Sequence, residues 1–197
     1  MRLTSEISLN LKDGDAYYYH KFFNKPEADT FFKNLLTEIK WKQDNINIFG
    51  KTYPQPRLTA FFANNNKPYS YSNIKMKPKD FMGDLLTIKQ ILENEMDIKF
   101  TSCLANLYRD GQDSNGWHAD NEKELGINPI IASISFGAER LFHLKHKKDN
   151  TLRTRIILEH GSLLIMKGAT QHNWLHQIPK TKKDIEQRIN LTFRIIA

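Results

Sequence analysis

The spacing of apolar residues in the first half of the chain predicts two amphipathic helices. In the first, over residues 26–40, Phe31, Leu35 and Ile39 recur at helical spacing, and Asn24 stands in front as a possible N-cap. The second runs from about residue 84 to 96, with leucines and isoleucines on one face. Two strands are predicted between the helices, over residues 46–49 and 57–63.

After residue 100 the pattern changes to short β-strands separated by Gly, Asp and Asn. Many short strands at this spacing favour a sandwich or barrel over alternating βαβ units. We predict one domain over residues 1–197, with a mainly β core from about residue 100 to 197. The helices of residues 1–99 should pack on its outside. The strands are predicted over residues 100–108, 129–136, 141–146, 155–158, 162–166, 173–178 and 188–196.

Composition narrows the class of protein. The 197 residues contain one cysteine, Cys103, which excludes an internal disulfide and multi-cysteine metal sites. No apolar run approaches the roughly 20 residues of a membrane-spanning helix, and the N-terminus lacks the apolar core of a signal peptide. A soluble, intracellular protein is therefore expected. The net charge of +7 favours a polyanionic partner, although a lysine-rich solvated surface would give the same charge.

The segment Trp117-His118-Ala119-Asp120 is a candidate metal site. On an extended backbone, His118 and Asp120 point to the same side, so both can reach one ion. Two histidines and one carboxylate suit a non-haem Fe(II) oxygenase, and the same set can hold a hydrolytic zinc. A hydrogen-bonded loop pair without metal is the alternative. The third ligand would come from His143, His146, His160, His172 or His176.

The C-terminal strand alternates polar and apolar residues. Its polar face carries Arg188, Asn190, Thr192 and Arg194, and its apolar face carries Ile189, Leu191 and Phe193. Two arginines around two small polar residues suit a small dicarboxylate, because the guanidinium is the best side-chain partner of a carboxylate. An ordinary surface strand with its polar face in water would show the same pattern.

Six segments in a fixed order carry a resemblance that covers roughly residues 48–196. They are residues 106–108, 117–120, 129–138, 161–166, 174–176 and 188–194. Together they resemble the AlkB family of Fe(II)- and 2-oxoglutarate-dependent dealkylating dioxygenases. The resemblance implies a double-stranded β-helix, a jelly-roll-like core, with Fe(II), 2-oxoglutarate and O₂ as cofactor and cosubstrates. It also implies an oxidative DNA demethylase for bases such as 1-methyladenine and 3-methylcytosine, releasing formaldehyde, succinate and CO₂.

Residue by residue, the resemblance implies two adjoining sites. The catalytic iron would be held by His118, Asp120 and His176. His172 is the rival third ligand, since the predicted strand places it on the same face as His176. The residues that would hold 2-oxoglutarate are Asn106, Tyr108, Arg188, Asn190, Thr192 and Arg194.

The resemblance also implies contacts with the substrate, of three kinds. Phe49, Gly50 and Lys51 match a hairpin finger that enters duplex DNA, although a core phenylalanine is the alternative. Lys182 and Lys183, in the run 180–183, match a basic loop facing phosphates, or a solvated lysine run. Arg57, Tyr69 and Tyr71 match a lid over the substrate base, with Tyr71 and His118 on either side of it. Tyr69 and Tyr71 are otherwise packing aromatics.

One position departs from the family pattern. Many relatives follow the metal aspartate with a second acidic residue that contacts the base, whereas this chain has Asn121 followed by Glu122. The preference among alkylated bases therefore stays open. Alkylated DNA is the expected partner of a monomeric enzyme, with duplex favoured, single strands possible and no membrane. The alternatives are an oxygenase of the same type acting on RNA or protein, and a non-catalytic nucleic-acid-binding module.

Overall fold

The computed structural model describes residues 2–48, 51–64, 69–71 and 74–196; side chains at 47–48, 69–71 and 74–76 lie outside that description. The elements of the first half are β1 (Ile7–Ser8), β2 (Asp15–Tyr19), α1 (Lys25–Glu38), β3 (Asn45–Ile48), β4 (Lys51–Pro54), β5 (Leu58–Ala63), β6 (Tyr69–Tyr71), β7 (Ile74–Met76) and α2 (Gly83–Met96). Those of the second half are β8 (Ser102–Tyr108), β9 (Asn115–His118), β10 (Ile131–Gly137), β11 (Arg140–His146), β12 (Arg153–Leu158), β13 (Ser162–Lys167), α3 (Thr170–Asn173), β14 (Trp174–Ile178) and β15 (Arg188–Arg194).

Two antiparallel sheets build the core. The major sheet has the strand order β1-β2-β13-β10-β15-β8-β5, and the minor sheet has the order β12-β11-β14-β9. Most neighbouring strands are not consecutive in sequence, since β15 lies between β10 and β8 and β14 lies between β11 and β9. The hairpins β3–β4 and β6–β7 form separate two-stranded sheets. This arrangement confirms the predicted mainly β, jelly-roll-like class.

The two long helices cover the outer side of the major sheet. Asn24 begins α1 with a capping box, because its side chain accepts a hydrogen bond from the Glu27 amide and its own amide donates to the Glu27 carboxylate. Leu35 of α1 and Leu92 of α2 are fully buried in the same apolar cluster as Phe136 of β10. The helices therefore pack outside the β core, as predicted.

A second apolar cluster lies between the two sheets. It joins Leu164 and Met166 of the major sheet to Phe142, Leu144 and Trp174 of the minor sheet. Because both faces of the major sheet are buried, residues on its inner face are expected to be apolar or hydrogen-bonded. Polar residues on that face are therefore candidates for a functional site. No helix in the part of the chain described here is long and apolar enough to cross a membrane.

Candidate active site

His118, Asp120 and His176 come together between the two sheets. His118 ends β9 and His176 lies directly opposite it on β14, so that the two imidazole centres are 4.2 Å apart. Asp120 follows two residues later, with its Oδ1 3.9 Å from His118 Nε2. One ligand atom from each residue lies within 4.8 Å of the others. This spacing suits three ligands on one side of a metal ion.

Hydrogen bonds set the tautomer of His118. Its Nδ1 lies 2.7 Å from the Gly116 carbonyl, which can only accept, so Nδ1 carries the proton. The Nε2 lone pair then faces the cluster and accepts a hydrogen bond from the Asn115 amide at 3.1 Å. A backbone carbonyl that orients one imidazole nitrogen is a common support for a metal-binding histidine. His118 is thus in the tautomer that can bind a metal through Nε2, and a metal bound there would replace the hydrogen bond from Asn115.

Asp120 is buried and half satisfied. Its Oδ2 accepts a hydrogen bond from Arg194 at 2.9 Å, and its amide donates to the Gln171 side chain at 2.8 Å. Its Oδ1 is buried without a hydrogen-bond partner in the described part of the chain. A buried carboxylate oxygen without a partner is costly, and a bound cation would remove that cost. The donor set therefore fits a divalent metal such as Fe(II).

The protonation states also suit metal binding. Desolvation lowers the pKa of both imidazoles, that of His176 to about 3, so both rings are neutral at pH 7. Burial alone would raise the pKa of Asp120, but the Arg194 guanidinium and the two imidazoles lower it to about 2. Neutral imidazoles and an ionised carboxylate are the forms that bind metals.

The alternating polar residues of β15 line the same cavity. Arg188 and Asn190 lie opposite Tyr108 and Asn106 on β8, and the polar side of β15 is buried throughout. The surface-strand alternative is therefore wrong, since no residue of β15 is exposed. The lining consists of Leu104, Asn106, Tyr108, Asn115, His118, Asp120, Ser133, Phe142, Leu158, Met166, His176, Ile178, Arg188, Asn190, Thr192 and Arg194.

In the described part of the chain, Arg188 is a buried cation that forms no ion pair with a carboxylate. It is 1% exposed, its Nη2 donates to Ser135 Oγ at 2.9 Å, and its guanidinium lies 5.1 Å from the centre of the Tyr108 ring. Its Nε and Nη1 have no hydrogen-bond partner among the residues described. Burial lowers the pKa of Arg188 to about 10, against an ordinary value of 12.5. The residue is therefore poised to bind an anion.

A hydrogen-bond chain orders the floor of the cavity. Arg57 donates to Asn106 Oδ1 at 2.8 Å, and Asn106 donates to Asn190 at 3.5 Å. Asn190 in turn donates to Ser133 Oγ at 2.8 Å and accepts from Thr192 at 2.9 Å. Because each side chain has a fixed partner, the polar face is held in one arrangement.

Sequence reasoning missed several supporting residues. Ser133 and Ser135 alternate with apolar residues along β10, the pattern that singled out β15, and this alternation could have found them. Gln171, which is fully buried and holds the Asp120 amide, lies in α3 and shows no comparable signal. Asn115, which bonds His118, lies two residues before the segment 117–120 and was not part of the predicted site.

The remaining histidines lie elsewhere. His172 belongs to α3, so the expectation that it shares a strand face with His176 is wrong; its ring accepts from the Asn128 amide at 3.3 Å. The His146 ring accepts hydrogen bonds from two backbone amides that follow β11. The His160 ring contacts the Gly137 amide on one side and the Asp29 carboxylate on the other. His143 lies beside Gln177, at 3.4 Å. Of the candidates for a third ligand, only His176 joins the cluster in the described structure.

The residues predicted to contact substrate lie in different environments: some are buried, some are exposed, and some lie outside the described residues. Arg57 is buried and bonded to Asn106 and to the Ser114 carbonyl, while Lys51 is exposed on β4. Asn121 is exposed and Glu122 half-buried, and neither lines the cavity. Phe49 and Gly50 lie outside the described residues, as do the side chains of Tyr69 and Tyr71.

The predicted basic loop is hydrogen-bonded to neighbouring segments. Lys180, Lys182 and Lys183 are exposed, whereas the backbone between them is fixed to the loop that precedes β9. The Thr181 amide donates to the Gly111 carbonyl at 2.8 Å, and Arg140 donates to the Pro179 carbonyl at 2.7 Å. A Cβ on Gly111 would lie 2.8 Å from the carbonyl oxygens of Thr181 and Lys183, so only glycine allows this approach.

Comparisons with known proteins agree with this geometry. A family model for the 2OG-Fe(II) oxygenase superfamily matches residues 15–194. The chain is 45% identical over 184 residues to the Bos taurus alpha-ketoglutarate-dependent dioxygenase alkB homolog 3, covering 89% of this chain and 64% of that protein. It is 36% identical over 188 residues to the Homo sapiens DNA oxidative demethylase ALKBH2, covering 90% and 72%.

The fold has a counterpart among solved structures. The structure of OsALKBH1 matches with a TM-score of 0.66 at 17% identity, over 96% of this chain and 100% of that chain, which shows likeness of fold. The chain spans only about 64% of the length of the first of these relatives.

Proposed function

Because this chain belongs to the AlkB family of the 2OG-Fe(II) oxygenase superfamily, we propose that it oxidatively removes alkyl groups from DNA bases. The proposed targets are N-alkylated bases such as 1-methyladenine and 3-methylcytosine. The observation that carries the proposal is one cavity lined both by the His118–Asp120–His176 cluster and by Arg188, whose Nε and Nη1 are unpartnered among the described residues. The name of the human relative, a DNA oxidative demethylase, supports DNA as the substrate.

We assign the metal to His118, Asp120 and His176. Both imidazoles are neutral at pH 7, and the orphaned Oδ1 of Asp120 gives the metal an anionic ligand. Fe(II) and 2-oxoglutarate, when bound, supply the oxidation by O₂ of the N-alkyl carbon, with formaldehyde, succinate and CO₂ as products. Arg194 holds the second oxygen of Asp120 and keeps that carboxylate ionised.

We assign the cosubstrate to the polar face of β15 and β8. Arg188 supplies the charge that a buried carboxylate needs, since its Nε and Nη1 have no partner in the described part of the chain. Asn190 and Thr192 are held by their own hydrogen bonds, so they offer a fixed surface. The residues of this site are Asn106, Tyr108, Arg188, Asn190, Thr192 and Arg194.

We assign the nucleic acid to the two hairpins, Arg57 and the basic loop. Arg57 links the two sites, because it bonds Asn106 of the cosubstrate site from the segment predicted as the lid. Lys182 and Lys183 are exposed on a loop that is hydrogen-bonded to the segment before β9, which suits phosphate contacts. Phe49, Tyr69 and Tyr71 complete the proposed substrate contacts, and duplex DNA is the proposed preferred form.

The test is release of formaldehyde and succinate with Fe(II), 2-oxoglutarate and O₂. It compares methylated single-stranded DNA, duplex DNA and RNA, so that the products identify the substrate. His176→Ala should abolish turnover and weaken Fe(II) binding, whereas His172→Ala should retain both.

Two results would contradict the assignment. Formaldehyde from none of the nucleic acids, in protein that binds Fe(II) and 2-oxoglutarate, would reject the substrate class. Loss of Fe(II) binding in His172→Ala but not in His176→Ala would reject the ligand set.

A further inference from the structure

The outer face of the minor sheet, opposite the active site, carries exposed aromatic and basic side chains. Inward residues of its strands such as Phe142 and His176 are buried, whereas Trp117, Leu141 and Ile157 are 39%, 42% and 49% exposed. We name part of this surface the outer basic face. It consists of Trp117, His143, Lys145, Arg153, Arg155 and Gln177.

The charge of this face has one sign. Lys145 lies opposite Arg153 in the pairing of β11 with β12, and His143 lies opposite Arg155. None of the residues in the four strands of the minor sheet is Asp or Glu. Within the described structure, no carboxylate lies in ion-pair distance of Lys145, Arg153 or Arg155. Such a surface complements a polyanion rather than a protein of mixed charge.

Trp117 adds an aromatic ring to the cations. The Lys145 ammonium lies 4.3 Å from the centre of the indole, and the exposed part of the ring faces solvent. An exposed tryptophan among lysines and arginines is the combination with which proteins bind single strands, since bases stack on the ring and phosphates contact the cations.

The position of the face connects it with the proposed active site. Trp117 directly precedes His118, whose side chain points inward. Strand β14 leads from Gln177 through Pro179 into the basic loop 180–183, and that loop is bonded to the segment just before β9. The basic loop therefore starts three residues beyond Gln177 of the outer basic face. The pair His143–Arg155 lies level with Gln177, and the pair Lys145–Arg153 lies two residues further from the loop along the sheet.

We propose that the outer basic face binds the unpaired part of the nucleic-acid strand that carries the target base. Trp117 stacks on a base outside the cavity, and Lys145, Arg153 and Arg155 contact the phosphates. This inference rests on the proposed function, because it names a surface for the same substrate.

The test measures binding of fluorescein-labelled, unmethylated oligothymidylate by fluorescence anisotropy at several salt concentrations. Trp117→Ala should weaken binding about tenfold, as expected for loss of one stacked base. The double variant Arg153→Gln/Arg155→Gln should lower the slope of log K against log salt by about 1.4, or about 0.7 for each cation. Ile157→Ala, an apolar truncation on the same side of the sheet, should bind like the wild type.

The outcomes separate this proposal from the proposed function. If the wild type releases formaldehyde from methylated DNA and both variants bind oligothymidylate as it does, the outer basic face is rejected and the proposed function stands. If the variants weaken binding but no methylated nucleic acid releases formaldehyde, the surface stands and the proposed function fails. Melting temperatures check folding; should Trp117→Ala unfold, the salt slope of the exposed double variant decides alone.

Discussion

Replacing Arg188 by Met should have opposite effects on cosubstrate binding and on stability. The guanidinium is buried, and its Nε and Nη1 have no partner in the described structure. Without a bound carboxylate, this charge opposes folding. With one bound, it is half of a buried ion pair. The substitution therefore shows whether Arg188 serves to bind the cosubstrate or to stabilise the core.

The magnitudes follow from the environment of Arg188. Burial lowers its pKa from 12.5 to about 10, which corresponds to about 3 kcal/mol. Both values lie above 7, so the charged form carries this full cost at pH 7. Loss of the Ser135 hydrogen bond, whose donor is charged, offsets about 2 kcal/mol. The ligand-free variant should therefore gain about 1 kcal/mol, or about 2–4 °C in Tm.

Cosubstrate binding should change far more. Removing one partner of a buried ion pair costs about 3–5 kcal/mol, so the Kd for 2-oxoglutarate should rise a hundredfold or more. The assay is thermal unfolding with and without 2-oxoglutarate and Fe(II) under anaerobic conditions, because a ligand raises Tm only when it binds the folded state. Arg155→Met, at an exposed position, is the control and should keep the ligand-induced rise in Tm. A ligand-induced rise in Arg188→Met equal to that of the wild type would refute the assignment, as would a lower Tm without ligand.

Three further predictions concern other parts of the molecule. Without metal, the protein should lose about 2 kcal/mol of stability from pH 8 to pH 5, because burial holds the pKa of His176 near 3 while the unfolded imidazole, with an ordinary pKa of 6.5, takes up a proton. Thermal unfolding should show a flatter pH profile for His176→Leu, and an unchanged profile would contradict this reasoning. Gly111→Ala should displace the basic loop, cost about 1–3 kcal/mol and weaken salt-dependent DNA binding, whereas Gly116→Ala, where an added Cβ meets no atom within 4 Å, should do neither. Equal DNA binding by the two variants would exclude a role for the contact between Gly111 and the basic loop. Phe49→Ala should reduce the ratio of duplex to single-strand activity about tenfold or more at unchanged Tm, because an inserted aromatic offsets the cost of base flipping; an equal fall on both substrates with a lower Tm would place Phe49 in the core instead.

Local patterns predicted the regular elements well. The helices predicted over 26–40 and about 84–96 are Lys25–Glu38 and Gly83–Met96, because periodic apolar residues and an N-cap act within a few turns. Strand β2 was not predicted, although it joins the major sheet beside β13. Its partner is more than 140 residues away, so no local signal specifies the pairing.

The candidate site was predictable where its residues follow a strand period. The alternation in β15 predicted the polar face on which Arg188 and Asn190 lie, and the His-x-Asp spacing predicted that His118 and Asp120 meet. Without the family resemblance, the residues left five histidines as candidates for the third metal ligand. The structure distinguishes His176 from His172, because a short helix ends at Asn173 and turns His172 away from the strand.

Sequence by itself determined the helices, most strands and the polar stripe of β15, because these depend on periodicity and on the chemistry of single side chains. Tertiary structure decided which distant strands are neighbours, and therefore that β9 and β14 place two histidines opposite each other. It also decided that Arg188 is buried with its Nε and Nη1 unpartnered among the described residues, and that Trp117 is exposed beside Lys145. Burial, partners and desolvation are properties of packed strands from distant parts of the chain, so no local pattern contains them.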